Sequence, residues 1–261
     1  MFDTHCHIHG ELFELDANGA YEEAIDSGLE GMFCVGTSAQ DSQLAAEFAQ
    51  SHEKVWASIG HHPHEAKDFD PHDEQVMALL ARQPKVVAIG ECGLDYFYEH
   101  SPKKLQEKVF RWQLELAQKN NLPVIFHIRG SRDNPQDAFD DLWRILDDFP
   151  DVRGVIHSFS ATSIQLEQIL KRGLYVGING IMTFTQDEDQ IAALSKIPLE
   201  KLLFETDAPF LTPKPFRGKV NRPSYLKLVV EQIGERTGVE ALKLANITTE
   251  NVKSLFEITE V

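Results

Sequence analysis

Apolar and polar positions along the chain follow two alternating patterns. Short apolar runs occur at residues 2–7, 31–36, 55–59, 86–91, 124–128, 154–158, 174–178 and 202–206. Near-continuous apolar runs of this length are the pattern of parallel strands buried on both faces. The longer stretches between them carry apolar residues at helical spacing. Ala17, Ala20, Tyr21, Ala24 and Ile25 form one such face; Leu105, Val109, Trp112 and Leu116 form a second, and Phe139, Leu142 and Leu146 a third. Ser101-Pro102 predicts an N-cap followed by a first-turn proline. Gly173 predicts the stop of a helix carrying Leu166, Ile169 and Leu170. Two more helices are expected at about 224–236 and 248–256. Eight strand-then-helix units in 261 residues predict a (β/α)8 TIM barrel. No repeat, low-complexity tract or Gly/Ser linker marks a boundary, so one domain over 1–261 is expected.

The alternative is an open doubly wound sheet, and the polar residues favour the barrel. Metal-capable side chains recur at the ends of the apolar runs. The first ends in His5-Cys6-His7, the fourth in Glu91 with Asp95 close behind, the fifth in His127, the sixth in His157, and the eighth in Glu205-Thr206-Asp207. A barrel brings these C-terminal strand ends to one face, where active sites are built. His5 and His7 are spaced i, i+2, which puts both on one side of a strand, with Cys6 turned away. A carboxylate at Glu91, after Val86-Val87-Ala88-Ile89, is costly unless paired or metal-bound. Its place in the middle of the series suits a carboxylate bridging two ions. Asp207 is expected to ligate a metal and to take a proton from the attacking water. Glu205 and Asp95 are expected to support the ligands from behind. His62, in His61-His62-Pro63-His64, is expected to contact a phosphate. Arg129 and the loop Arg217-Gly218-Lys219-Val220-Asn221-Arg222-Pro223 supply local positive charge, with Arg129, Arg217 and Asn221 as the expected substrate contacts. His9, His52, His72 and His100 lie away from the strand ends and are assigned no role.

Composition narrows the setting. Apolar residues make up 42% and charged residues 25%, ordinary for a globular protein. No run approaches the ~18 apolar residues of a membrane span, and the N-terminus lacks the pattern of a signal peptide. Three cysteines, an odd number and far apart, argue against a disulfide framework and for a reducing cytoplasm. With 25 Lys+Arg against 41 Asp+Glu, the net charge is −16. That excludes a nucleic-acid binder held by a broadly basic face. Any phosphate site must be local, and were the substrate a nucleic acid, this charge would favour short, single-stranded or end-bound strands over long duplex. Gly-x-Gly-x-x-Gly, Walker A and Gly-x-Ser-x-Gly motifs are absent.

The sequence resembles the TatD family of metal-dependent deoxyribonucleases over essentially its whole length. The resemblance is carried by Asp3-Thr4-His5-Cys6-His7, Gly60-His61-His62-Pro63-His64, Gly90-Glu91-Cys92-Gly93-Leu94-Asp95-Tyr96, His157-Ser158-Phe159-Ser160, Glu205-Thr206-Asp207-Ala208-Pro209, Arg217-Gly218-Lys219 with Asn221 and Pro223, and residues 251–256. After His127 the family usually continues Ser/Thr-Arg-Asp-Ala; here the chain reads Ile128-Arg129-Gly130-Ser131-Arg132, which keeps only the arginine. The resemblance implies His5, His7, Glu91 and Asp207 on one divalent ion (Mg, Mn or Zn) and Glu91, His127 and His157 on a second. It also implies hydrolysis of DNA phosphodiesters, with no membrane or obligate protein partner. An amidohydrolase, lactonase or small phosphoesterase on the same barrel is the enzymatic alternative, and a non-catalytic metal-binding scaffold the other.

Overall fold

In the computed structural model, which describes residues 1–258, every apolar run is a strand. These are β1 (Phe2–Cys6), β2 (Gly31–Val35), β3 (Val55–Ile59), β4 (Val86–Asp95), β5 (Val124–Arg129), β6 (Gly154–Ile156), β7 (Tyr175–Ile178) and β8 (Leu202–Phe204). They join one sheet in chain order, β1 to β8. The β1–β2, β3–β4, β4–β5, β5–β6 and β7–β8 pairings are parallel. Cys6 of β1 forms a parallel bridge to Ala208, just past β8, and the His7 N–H donates to the Ala208 carbonyl at 2.7 Å. The fold is a (β/α)8 barrel. Its helices are α1 (Ala17–Asp26), α2 (Ala39–Ser51), α3 (Pro71–Leu80), α4 (Lys103–Asn120), α5 (Asp137–Leu146), α6 (Ser163–Lys171), α7 (Ile181–Phe184), α8 (Glu188–Leu194), α9 (Leu226–Thr237) and α10 (Ala241–Phe256). Among the described residues no helix is long and apolar enough to cross a membrane.

The chain clusters into two compact units. The first comprises residues 1–34, 52–55 and the chain from 158 onward; the second comprises 35–51 and 56–157. In the first unit, fully buried Phe33 of β2 meets Phe2 edge-on, with centroids 6.4 Å apart, and Phe256 of α10 at 4.6 Å. The Cys6 thiol donates to the Phe33 carbonyl at 3.3 Å, on the side away from the histidines, as the alternation of β1 requires. In the second unit, Phe110 of α4 lies edge-on against Phe126 of β5 at 6.0 Å.

Three local expectations need correction. Pro102, not Ser101, precedes α4, and no side chain caps that helix. The Ser101 hydroxyl instead donates to the His64 carbonyl at 2.6 Å and accepts from the Lys67 N–H at 3.1 Å. The buried face of α4 is also rotated from the expected stripe: Leu105 is exposed and Trp112 half-buried, while Gln106, Val109, Phe110, Gln113, Leu114 and Ala117 are buried. The glutamines face inward because their amides bond to backbone at the strand ends. Gln106 accepts from the Asp95 N–H at 2.7 Å and donates to the Asp95 carbonyl at 2.9 Å. Gln113 does the same at His61, at 2.8 and 3.0 Å. A polar side chain that satisfies an otherwise orphaned backbone pair belongs in the interior. Third, β4 runs on to Asp95, four residues past its expected end, because it stays paired with β5 through Asp95 opposite Arg129.

Two irregularities position the chemistry. The β1–β2 register shifts between Asp3 and Cys6, and the β4–β5 register shifts between Ile89 and Cys92. An extra residue on one strand of a pair re-aims the side chains around it. His5 and Glu91 fall within these two bulges.

Phe33→Ala should cost about 3–5 kcal/mol of folding stability, the usual range for deleting a buried phenyl ring. Urea unfolding would show it as a lower midpoint at unchanged slope; a loss below about 1 kcal/mol would show that the β2–α10 contact contributes little.

Candidate metal centre

In the first unit β1 delivers two imidazoles to one point. His5 Nε2 and His7 Nε2 are 3.1 Å apart. The carboxylate of Asp207 closes a triangle, its Oδ1 3.7 Å from His5 Nε2 and 3.5 Å from His7 Nε2. Asp207 stands in the left-handed backbone region at φ 58. That conformation is uncommon for any residue but glycine and is held here from both sides. The Asp207 N–H donates to the His5 carbonyl at 2.8 Å, and its carbonyl accepts from the Phe210 N–H at 2.7 Å. Donors bound at roughly 2.1 Å to one ion lie about 3.0–3.4 Å from each other, depending on geometry. The imidazole pair falls within that range and Asp207 lies a few tenths of an ångström beyond it, so a small closure of Asp207 completes a shell; His5, His7 and Asp207 form one of the groups able to hold an ion.

The second unit holds another such group, His62, Glu91 and His127. Glu91 is 4% exposed. Its Oε1 lies 2.5 Å from His127 Nδ1, 3.4 Å from His157 Nε2 and 3.5 Å from His62 Nε2. Burial works against its charge, but His157, His62 and His127 outweigh burial and hold its carboxyl well below the usual range. Burial lowers the His127 pKa, yet Glu91 and Asp95 more than reverse this and push it up to about 9. Burial and the neighbouring His127 push His62 down to about 4. His62 was expected to touch a phosphate; its ring instead stands inside this cluster, with Nε2 3.3 Å from His127 Nδ1. Its Nδ1 accepts from the His64 N–H at 3.2 Å.

Asp95 braces the second cluster. Its Oδ2 lies 2.9 Å from His127 Nε2 and 3.0 Å from His64 Nε2. Burial opposes its charge, and those two imidazoles with the Tyr98 N–H hold it below the usual carboxylate range. With Nε2 taken by Asp95, His127 turns Nδ1 to the donor cluster, the arrangement by which an outer carboxylate orients a ligating imidazole. In the first unit Glu205 offers a carboxylate oxygen within 4.8 Å of a His5 ring nitrogen. It is buried and accepts from the Ser158 N–H at 2.6 Å and from Asn179 Nδ2 at 3.3 Å. Gly177 leaves room for it, since a Cβ there would collide with the Glu205 carboxylate.

Asn221, expected as a substrate contact, requires correction. It is fully buried. Its Nδ2 donates to the Thr206 carbonyl at 2.8 Å and the Phe210 carbonyl at 2.6 Å, and its Oδ1 accepts from the Arg222 N–H at 2.9 Å. It staples the loop that carries Asp207 and leaves nothing for a ligand. Arg217 is exposed, its guanidinium 3.4 Å from the centroid of Phe184. Arg129 is exposed at the end of β5 over Phe97. Asp3 was missed as a site residue. It is fully buried, takes the Thr206 N–H at 2.8 Å and hydroxyl at 2.5 Å, and burial pushes its carboxyl up to about 8. Its signal was present, because it precedes His5 by two on one strand. Two of the four histidines set aside also lie close by. The His9 ring is 6.4 Å from His7, and His100 is 4.6 Å from His64.

Imidazoles and carboxylates converging at strand ends of a (β/α)8 barrel define a class, the metal-dependent hydrolases. The family model described as "TatD related DNase" matches residues 2–257. The "Uncharacterized metal-dependent hydrolase YabD" of Bacillus subtilis (strain 168) is 39% identical over 260 residues, 99% of each chain. The "3'-5' ssDNA/RNA exonuclease TatD" of Escherichia coli (strain K12) is 35% identical over 264 residues, again 99% of each. Among solved structures, a TatD homolog from Escherichia coli k12 superposes with a TM-score of 0.88 at 29% identity, covering 99% of this chain and 98% of that one. The chain belongs to the TatD related DNase family, metal-dependent hydrolases acting on ester bonds.

Asn221→Ala strands the buried Thr206 carbonyl, worth about 1–3 kcal/mol when left unpaired, and frees the partly buried Phe210 carbonyl as well. The variant should unfold at clearly lower urea than wild type. Wild-type stability with a raised KM would instead return Asn221 to the substrate surface.

Proposed function

We propose that the protein hydrolyses phosphodiester bonds in single-stranded DNA, working from an end, with one divalent cation on each donor cluster. The observation that carries this reading is the pair of clusters, His5–His7–Asp207 and His62–Glu91–His127, the latter with His157 3.4 Å from Glu91, in a chain of this family. The donors suit Zn²⁺ or Mn²⁺, and Mg²⁺ is equally sensible at a phosphoryl site. Single-stranded substrate is supported by the names of the relatives, 3'-5' ssDNA/RNA exonucleases. A net charge of −16 also disfavours long duplex, whose phosphates it repels. Three free, buried cysteines accord with a cytoplasmic setting.

Divalent cations at such a centre lower the pKa of water and take up charge on a phosphate oxygen. The chain's own groups do the rest. Asp207 turns Oδ1 to the two imidazoles, and its second oxygen accepts the proton of the attacking water. His5 and His7 are fixed by β1, and Asp3 ties that strand to Thr206 beside Asp207, so the three donors keep their spacing. Glu91 supplies negative charge among imidazoles, and Asp95 keeps His127 oriented. Arg217 offers a phosphate contact beyond β8.

End-labelled oligonucleotides with added Mg²⁺, Mn²⁺, Co²⁺ or Zn²⁺ test this reading. Stepwise loss of nucleotides from single strands, faster than from duplex, is expected. Cleavage of lactones or simple esters, with no nucleotide release under any metal, would replace it with the amidohydrolase alternative.

Asp207→Asn should fold and retain oxygen ligation but lose about 10²–10⁴-fold in turnover, the usual cost of removing a general base. A rate within a few-fold of wild type would reject proton transfer to Asp207.

A further inference from the structure

The end of β4 carries an aromatic and cationic patch with no part in the donor clusters. Asp95 Oδ2 holds His127, while Asp95 Oδ1 accepts from the Phe97 N–H at 3.0 Å and the Tyr98 N–H at 3.1 Å. One carboxylate thus ties the second cluster to the turn that presents these two rings. Tyr98 is 48% exposed, and its ring stacks on His100 with centroids 5.7 Å apart and planes 15° from parallel. The Arg129 guanidinium lies 4.1 Å from the centroid of Phe97 and 4.8 Å from that of Tyr98. Arg132 lies 4.6 Å from Phe97. Other arginines are matched with acid: Arg111 meets Asp148, Arg144 meets Glu107, and Arg222 meets Glu23. Among the described residues no carboxylate lies within ion-pair distance of Arg129 or Arg132. Two guanidiniums without a carboxylate partner, set on half-buried Phe97 and exposed Tyr98 in a chain of charge −16, are complementary to a polyanion with flat faces.

On the proposed nuclease reading, we infer that Phe97, Tyr98, Arg129 and Arg132 form the subsite that holds a base and its flanking phosphates in single-stranded DNA next to the second donor cluster. A base needs a π-face, and Tyr98 offers an exposed ring already stacked in parallel with an imidazole. A guanidinium lying on a ring keeps its in-plane N–H donors for phosphate. The aromatic surface accepts any base, so the subsite selects unpaired strand rather than sequence. Duplex keeps its bases stacked on each other and cannot use the ring. Arg132, in the loop after β5, adds a second cation to the same patch.

The test compares an oligo(dT) with the same oligomer carrying abasic sites, using the full-length protein with metal added. Tyr98→Ala should raise KM for the normal oligomer about tenfold, within the cost of one lost base–aromatic stack. On the abasic oligomer its effect should fall below about twofold, and Tyr98→Trp should restore the normal value. Arg129→Gln and Arg132→Gln should weaken both oligomers alike, each lowering the salt slope by about 0.7. Equal effects of Tyr98→Ala on both oligomers, or no change in KM, would overturn the stacking subsite. Equilibrium binding of a 2-aminopurine oligomer separates this inference from the nuclease reading. Quenching on binding to wild type that is lost in Tyr98→Ala supports the subsite even if no cleavage occurs. Cleavage by wild type with no difference in quenching between the two proteins removes the subsite and leaves the nuclease reading standing.

Discussion

The carboxylate of Glu91 carries charge almost out of reach of water, and the surrounding structure answers that charge locally. It ends an apolar run of β4 and is 4% exposed, where an unpaired carboxylate would be costly. Three imidazoles, from His62, His127 and His157, stand within 3.5 Å of its Oε1. Each depends in turn on something further out. His127 is oriented by Asp95, and Asp95 is fixed by Gln106 at its backbone and by the Phe97 and Tyr98 N–H groups at its side chain. The bulge in β4, its run on to Asp95 and the polar face of α4 serve one requirement, a stable anionic donor inside a barrel. In the first unit His5, His7 and half-buried Asp207 bring two imidazoles and one carboxylate together, and Asp3 fixes the backbone beside Asp207 through Thr206.

The strands were legible because burial on both faces writes a period-free apolar run, and all eight runs appear where expected. Their ends were less legible. Whether β4 stops at Glu91 or at Asp95 depends on pairing with β5, which local sequence does not encode. The expected stripe on α4 held at Val109 and Leu116 but missed the rest of the buried face for a related reason. Gln106 and Gln113 read as solvent-facing, yet they are buried by hydrogen bonds to Asp95 and His61, residues distant in sequence. The spacing of His5 and His7 was readable from strand geometry alone. The burial of Asn221 was not, because a motif asparagine in a basic loop looks the same whether it binds a ligand or staples its own backbone. His62 was misplaced because its distance from Glu91 arises from the turn after β3, not from any periodicity.

The balance of charge explains how an acidic protein can serve a polyanionic substrate. Net charge governs long-range steering, which here is unfavourable. Local donors and unpaired guanidiniums govern what happens at contact, where salt screening and distance matter less. A fold that pairs Arg111, Arg144 and Arg222 with its own carboxylates but sets Arg129 and Arg132 on aromatic rings places attraction beside the second donor cluster. Such a distribution gives slow encounter and selective capture of a polyanion.

The account rests on each donor cluster holding its own ion. Anomalous diffraction from crystals grown with Mn²⁺ or Zn²⁺ reads this directly. Two anomalous peaks are expected, one about 2.0–2.3 Å from the imidazole nitrogens of His5 and His7 and from Asp207, the other at the same distance from Glu91 and the imidazoles around it. A single peak, or metal bound away from Glu91 while its carboxylate stays paired only with His127, would contradict it.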